Sequence, residues 1–177
     1  VTGGARAGKS RFVLDAATRH AAACAPGSTV AFIATARAGD DDMAARIARH
    51  RAERGATFVT VEEPLELGAA LLAASDGHVG VVVDCLTVWL AQALFDDETR
   101  LPGRCEALRQ AVAASAVPVW LVTNEVGLGI HPEHALSRRY VDLLGRLNQD
   151  LAVVCNRVTL VACGLPLHLK GGAAGDG

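Results

Sequence analysis

Aromatic side chains are scarce in this chain, at 4% of 177 residues. Lysine is scarcer still: Lys9 and Lys170 stand against 15 arginines. There is no surplus of positive charge, because 17 basic residues face 19 acidic ones. A net charge of −2 argues against a general nucleic-acid binder, which usually shows a basic excess. No apolar run reaches the roughly 18 residues that a membrane span needs. The nearest, Val79 to Phe95, is broken by Asp84, Thr87 and Gln92. No basic segment followed by an apolar one opens the chain, so no secretory signal is expected. The cysteines Cys24, Cys85, Cys105, Cys155 and Cys163 are odd in number and contain no C-x-x-C pair. That pattern excludes a disulfide framework and a paired zinc site, and predicts small buried thiols in a reducing, cytoplasmic setting.

What remains is a chain that is 51% hydrophobic, built largely from small side chains, 33 of them alanine. The length fits one domain with a core of its own. Short runs rich in Val, Ile and Leu alternate with amphipathic segments. The strand candidates are Thr29–Thr35, Thr57–Val61, Val79–Asp84, Val117–Thr123 and Arg157–Cys163. The helix candidates are Lys9–Ala23, Asp41–Glu53, Leu65–Ala74, Leu86–Phe95, Gly103–Ala114 and Pro132–Val153, the last opened by a proline at its first position. Near-continuous apolar strands are covered on both faces, so the alternation predicts an α/β fold with a mostly parallel sheet flanked by helices. Residues 1–170 form the single domain in this reading, and the glycine-rich residues 171–177 a flexible tail.

In such sheets ligands bind beyond the carboxyl ends of the strands. The first ten residues, VTGGARAGKS, carry G-x-x-x-x-G-K-S from Gly3 to Ser10. Glycines let backbone N–H groups turn toward phosphate oxygens, and the helix behind them adds its free N–H groups and positive dipole end. Lys9 supplies a point charge for the β and γ phosphates, and the Ser10 hydroxyl is a Mg²⁺ ligand. A P-loop should follow a buried strand, yet only Val1 and Thr2 precede the glycines. Asp84 ends an apolar strand, as expected of the second Mg²⁺ ligand, although capping of the next helix is the competing role. His50 lies among Arg46, Arg49, Arg51 and Arg54, which suits an anion and keeps the imidazole neutral. A solvated basic face is the alternative. Glu62-Glu63-Pro64 and Asn124-Glu125 also follow strands and are candidates to touch a ligand, with turn chemistry as the competing role.

Taken in order, GGARAGKS, IATA followed by DDMAARIARHRAER, TVEEPLEL, VVVDCLTVWL, LVTNEVGLGIHPEHALSRRYVDLLGRLNQ and CGLPLHLK resemble the bifunctional adenosylcobinamide kinase / adenosylcobinamide-phosphate guanylyltransferase family. The likeness runs from Thr2 to Lys170. It implies a three-layer, RecA-like P-loop NTPase fold, ATP and GTP as substrates with Mg²⁺, a corrinoid substrate, and a homotrimer. It implies that His50 carries a GMP intermediate and that Lys9 is catalytic. It places the nucleotide on Gly3, Gly4, Ala5, Arg6, Ala7, Gly8, Lys9 and Ser10, on Thr35, Ala36 and Arg37, on Arg51, Ala52, Glu53 and Arg54, and on Glu62 and Asp84. Ala7 departs from the serine the family often carries there, and His131 stands where an apolar residue is expected. The competing function is a P-loop ATPase or regulatory nucleotide-binding module without guanylyl transfer.

Overall fold

A computed structural model describes residues 1–36 and 55–172 of the chain. The elements run α1 (Lys9–Ala23), β1 (Val30–Ala34), β2 (Phe58–Glu62), α2 (Leu67–Gly77), β3 (Gly80–Asp84), α3 (Leu86–Asp96), a 3₁₀ turn (Glu98–Arg100), α4 (Leu101–Ala114), β4 (Val119–Val122), α5 (Ala135–Val154), β5 (Val158–Ala162) and β6 (Leu165–Lys170). Strands β2-β1-β3-β4 lie side by side in that order, all parallel. The helical segment expected over Asp41–Glu53 lies outside the described residues.

The period of two along the central strands builds the three layers. Ala31 and Ile33 of β1, with Val81 and Val83 of β3, pack with Leu71, Trp89, Leu108 and Leu147 from α2 to α5. The alternate residues Val30, Phe32, Ala34 and Val82 pack on Val13, Ala17 and Ala21 of α1. Every residue of β1 is buried, which explains why its sequence carries no polar alternation. Trp89 is wholly buried and donates its indole N–H to the Leu65 carbonyl at 2.9 Å, satisfying its one polar atom.

Val1–Gly3, just before the phosphate loop, run as a short extended insert between β4 and β5. The Val1 nitrogen donates to Leu121 O at 2.7 Å, and Thr123 N donates to Val1 O at 3.0 Å. On the other side, Thr2 N donates to Thr159 O and Val161 N to Thr2 O, both at 2.8 Å. This short insert joins the antiparallel β5-β6 hairpin to the parallel sheet.

Several boundaries differ from the sequence expectation. The last helix starts at Ala135, not Pro132, because the carbonyls of Pro132 and Glu133 are taken by the Arg138 guanidinium at 3.1 and 2.5 Å. The proline that does sit in a first helical turn is Pro102 of α4. β6 was not expected. Its Pro166 weighs against a strand, but an edge strand tolerates a missing N–H. The thiols are free as expected but not deeply buried: Cys24, Cys85, Cys105 and Cys155 are half-buried and Cys163 is exposed, since it occupies the β5–β6 turn.

Candidate nucleotide site

The loop from Gly3 to Gly8 leaves the extended insert and enters α1 without a side-chain cap or an acidic residue in the first turn. The first N–H groups of the helix are therefore unclaimed by any cap, and the macrodipole favours an anion there. The loop needs backbone angles that favour glycine, with φ of +144° at Gly3 and +100° at Gly8. It also needs room. A Cβ on Gly3 would sit 2.3 Å from Val161 O, and one on Gly8 would sit 3.3 Å from the Gly164 Cα. The turn Cys163-Gly164, with φ of +53° and +80°, thus packs against the phosphate loop, and Gly164 N donates to Ala7 O at 2.9 Å.

Lys9 is only 7% exposed. Its ammonium donates to Gly3 O at 3.1 Å and Gly4 O at 2.6 Å, so it spans the loop it belongs to. Burial lowers its pKa from the ordinary value, and nearby Cys85 and Asp84 oppose that shift. Ser10 is exposed in the first turn of α1. Asp84 ends β3, level with Ala34 on one side and Val122 on the other. Thr35 is wholly buried, and its hydroxyl accepts from Cys85 N at 3.0 Å and donates to Cys85 O at 2.9 Å. Its carbonyl accepts from the Gln92 amide at 2.5 Å. Thr35 therefore fixes the backbone beside Asp84, while Ala36 next to it is half-buried.

The two glutamates separate clearly. Glu62 is exposed at the end of β2, the edge strand of the parallel sheet. With β1, β3 and β4 between it and the Val1–Gly3 insert, strand spacing puts Glu62 about 19 Å from the insert across the sheet. Glu63, beside it, accepts from the Leu65 and Glu66 amides at 2.8 and 2.9 Å and serves the local turn. Glu125 follows the neighbouring strand β4. It accepts the Thr2 hydroxyl at 2.6 Å, and its own N–H donates to Gly3 O at 3.2 Å. The structure thus brings Gly3–Ser10, Asp84 and Glu125 to one end of the sheet, with Thr35 and Ala36 beside them and Glu62 at the far edge. Arg37, His50, Arg51, Ala52, Glu53 and Arg54 lie outside the described residues.

Sequence reasoning missed Thr2, Val161 and Gly164. The signal for the last was present: Cys-Gly between two apolar runs is a two-residue hairpin turn with positive φ. Among the described residues no three His, Cys, Asp or Glu side chains gather as a metal cluster. Ser10 and Asp84 instead offer hard oxygens of the kind Mg²⁺ takes together with substrate phosphates, so the donor chemistry fits that ion.

Similarity to known proteins agrees with this geometry. The chain is 48% identical over 172 residues to the bifunctional adenosylcobalamin biosynthesis protein CobP of Pseudomonas aeruginosa, covering 97% of this chain and 96% of the relative. It is 38% identical over 185 residues to the bifunctional adenosylcobalamin biosynthesis protein CobU of Escherichia coli, covering 96% and 98%. The Salmonella typhimurium protein of the same description is 35% identical over 185 residues, with the same coverage. Residues 1–169 match one family across nearly the whole chain, and the chain belongs to that family, cobinamide kinase / cobinamide phosphate guanyltransferase.

Proposed function

We propose that this enzyme phosphorylates the terminal hydroxyl of adenosylcobinamide with ATP or GTP and then transfers GMP from GTP onto the new phosphate. The products of the second step are adenosyl-GDP-cobinamide and pyrophosphate. The observation that carries the reading is the match over residues 1–169, borne on a chain whose phosphate loop is fully built.

In the kinase step the hydroxyl oxygen forms a bond to the γ-phosphorus, and the bond to the nucleoside diphosphate breaks. Glu125 orients that hydroxyl, because it stands one strand from the phosphate loop whereas Glu62 stands at the opposite edge. Lys9 and the loop N–H groups balance the charge gathering on the leaving phosphates. Glu62 marks the far end of the nucleotide crevice. In the guanylyl step the neutral imidazole of His50 forms a P–N bond at the α-phosphorus and pyrophosphate departs. The cobinamide phosphate oxygen then attacks the same phosphorus, and the P–N bond breaks to regenerate His50. Ser10 and Asp84 would hold Mg²⁺, which supplies countercharge to the phosphates.

The enzyme works in this reading as a homotrimer in the cytoplasm. Five free thiols suit a reducing compartment, and the exposed row Leu165, Leu167 and Leu169 on edge strand β6 is a surface for self-association. No helix among the described residues is long and apolar enough to cross a membrane.

The test is mass spectrometry after incubation with GTP and Mg²⁺. Wild-type protein should gain one acid-labile GMP, and His50→Ala should gain none. GMP retained on His50→Ala, or absent from the wild type, would return the chain to the simple nucleotide-hydrolysing or regulatory reading.

A further inference from the structure

Between the loop after β4 and the outer face of α5 lies a cavity of about 830 Å³, toward the upper end of the roughly 300–1,000 Å³ typical of small-molecule sites. Glu125, Val126, Asp142, Gly145, Asn148 and Gln149 are among its walls. Asn148 is committed to the protein: its carbonyl accepts the Thr123 hydroxyl at 2.8 Å, and its amide donates to Asn124 O at 3.3 Å. It fixes the wall and the base of the loop. Asp142, Arg146 and Gln149 have no hydrogen-bond or ion-pair partner among the described residues, so their polar groups are uncommitted.

Two further features set this cavity apart. Gly145 lies in the middle of the 20-residue helix α5, where glycine costs about 1 kcal/mol relative to alanine. Beyond its own helix backbone, no described residue stands within 4 Å of where its Cβ would be, so packing among the described residues does not require a glycine there. The open space it leaves belongs to the cavity. The loop Val126-Gly127-Leu128-Gly129-Ile130 then carries apolar side chains at alternate positions. Leu128 is 84% and Ile130 98% exposed. They cover no apolar surface among the described residues.

We propose that this cavity is the corrinoid subsite. The proposal rests on the function given above. Cobinamide is a broad apolar macrocycle fringed by carboxamides, with a hydroxyl at the end of one arm. Carboxamides match the uncommitted groups of Asp142, Arg146 and Gln149, since each amide offers both donors and an acceptor. The alternate apolar residues of the 126–130 loop lie over the macrocycle, and the gap at Gly145 admits its edge. The hydroxyl arm is directed to Glu125, which lines the same cavity and is bonded through its own N–H to the phosphate loop. A chain poor in aromatics thus meets a large flat ligand with aliphatic loop residues and a helix groove.

The experiment is calorimetric titration of the full chain with adenosylcobinamide, alongside GMP labelling by GTP alone, which needs no corrinoid. Gly145→Leu fills the groove and should weaken adenosylcobinamide binding by about tenfold or more, as overpacking a fitted site does. Val126→Asp, on an exposed loop where folding is not at stake, should weaken it at least about fivefold. Both variants should retain GMP labelling. Adenosylcobinamide binding within twofold of wild type in both variants overturns the subsite while leaving the function intact. If Gly145→Leu alone loses labelling through misfolding, Val126→Asp decides by the same criterion. An unlabelled wild type is the separate failure, that of the underlying function.

Discussion

Replacing Gly3 by alanine should damage the protein before any nucleotide is added. The new methyl would stand 2.3 Å from the Val161 carbonyl oxygen, about 1 Å inside the contact that a C–H and a carbonyl normally keep. Relief requires the insert and β5 to part, which weakens the 2.8 Å bonds that Thr2 makes to Thr159 and Val161. Two such bonds contribute about 1–3 kcal/mol. Holding alanine at a φ of +144° adds about 1–3 kcal/mol. The sum centres near 4 kcal/mol, a large part of the roughly 5–15 kcal/mol that holds a domain folded. For a chain of this size the midpoint should fall by about 8–16 °C in a thermal melt followed by circular dichroism. Gly4→Ala is the matched control. Its Cβ meets nothing within 4 Å and it has no positive φ, so its effect should stay within about 0.5 kcal/mol. A Gly3→Ala midpoint within about 3 °C of wild type, or a Gly4→Ala midpoint equally depressed, would refute the claim that β5 limits this loop.

Three other expectations come from the same geometry. Lys9→Arg should cost about 100-fold or more in both phosphorylation and GMP labelling, because a planar fork does not fit where a compact ammonium spans the Gly3 and Gly4 carbonyls; near-normal turnover would show the loop has been misread. Thr2→Val removes the hydroxyl held 2.6 Å from Glu125 and should slow the kinase step about tenfold while GMP labelling is unchanged; equal loss of both would make Thr2 merely structural. Burial in the helix layer pushes the Cys105 thiol from 9.0 up to about 11. The folded thiol therefore stays protonated where the unfolded one ionises, so its contribution to stability is complete below pH 9 and is lost as pH rises from 9 to 11. Urea unfolding of Cys105→Ala across that range should fall less steeply than wild type; an identical slope would remove Cys105 as a cause.

The layers were legible because burial on both faces leaves β1, and β3 up to its terminal Asp84, with no polar positions, and the helices between them with one apolar face each. The phosphate loop was legible because glycine spacing and a single lysine have a mechanical meaning that needs no tertiary context. What sequence could not show was what holds that loop. Cys163-Gly164 signals a turn, but its contact with the loop is made by a backbone N–H, and that of Val161 by a backbone carbonyl, groups that side-chain identity does not reveal. The start of α5 was misplaced because the Arg138 side chain captures carbonyls that a proline-initiated helix would have used. That Glu125 stands beside the phosphate loop and Glu62 at the far edge follows from strand order, which periodicity does not encode.

The β5–β6 turn also bears on the order of assembly. Residues 3–8 are held against residues 159–164, a closure of more than 150 positions whose length-dependent entropy is about 4–5 kcal/mol. Contacts so distant in sequence slow folding, because loop-closure entropy is lost before they reward it. The phosphate loop thus leans on a strand pair more than 150 positions further along the sequence. A nucleotide that favours the completed loop should favour hairpin closure to the same extent, contributing about 2.7 kcal/mol at a hundred times its dissociation constant. Occupancy and sheet completion would then be linked equilibria, so a triphosphate bound at the loop should raise the thermal midpoint of the chain.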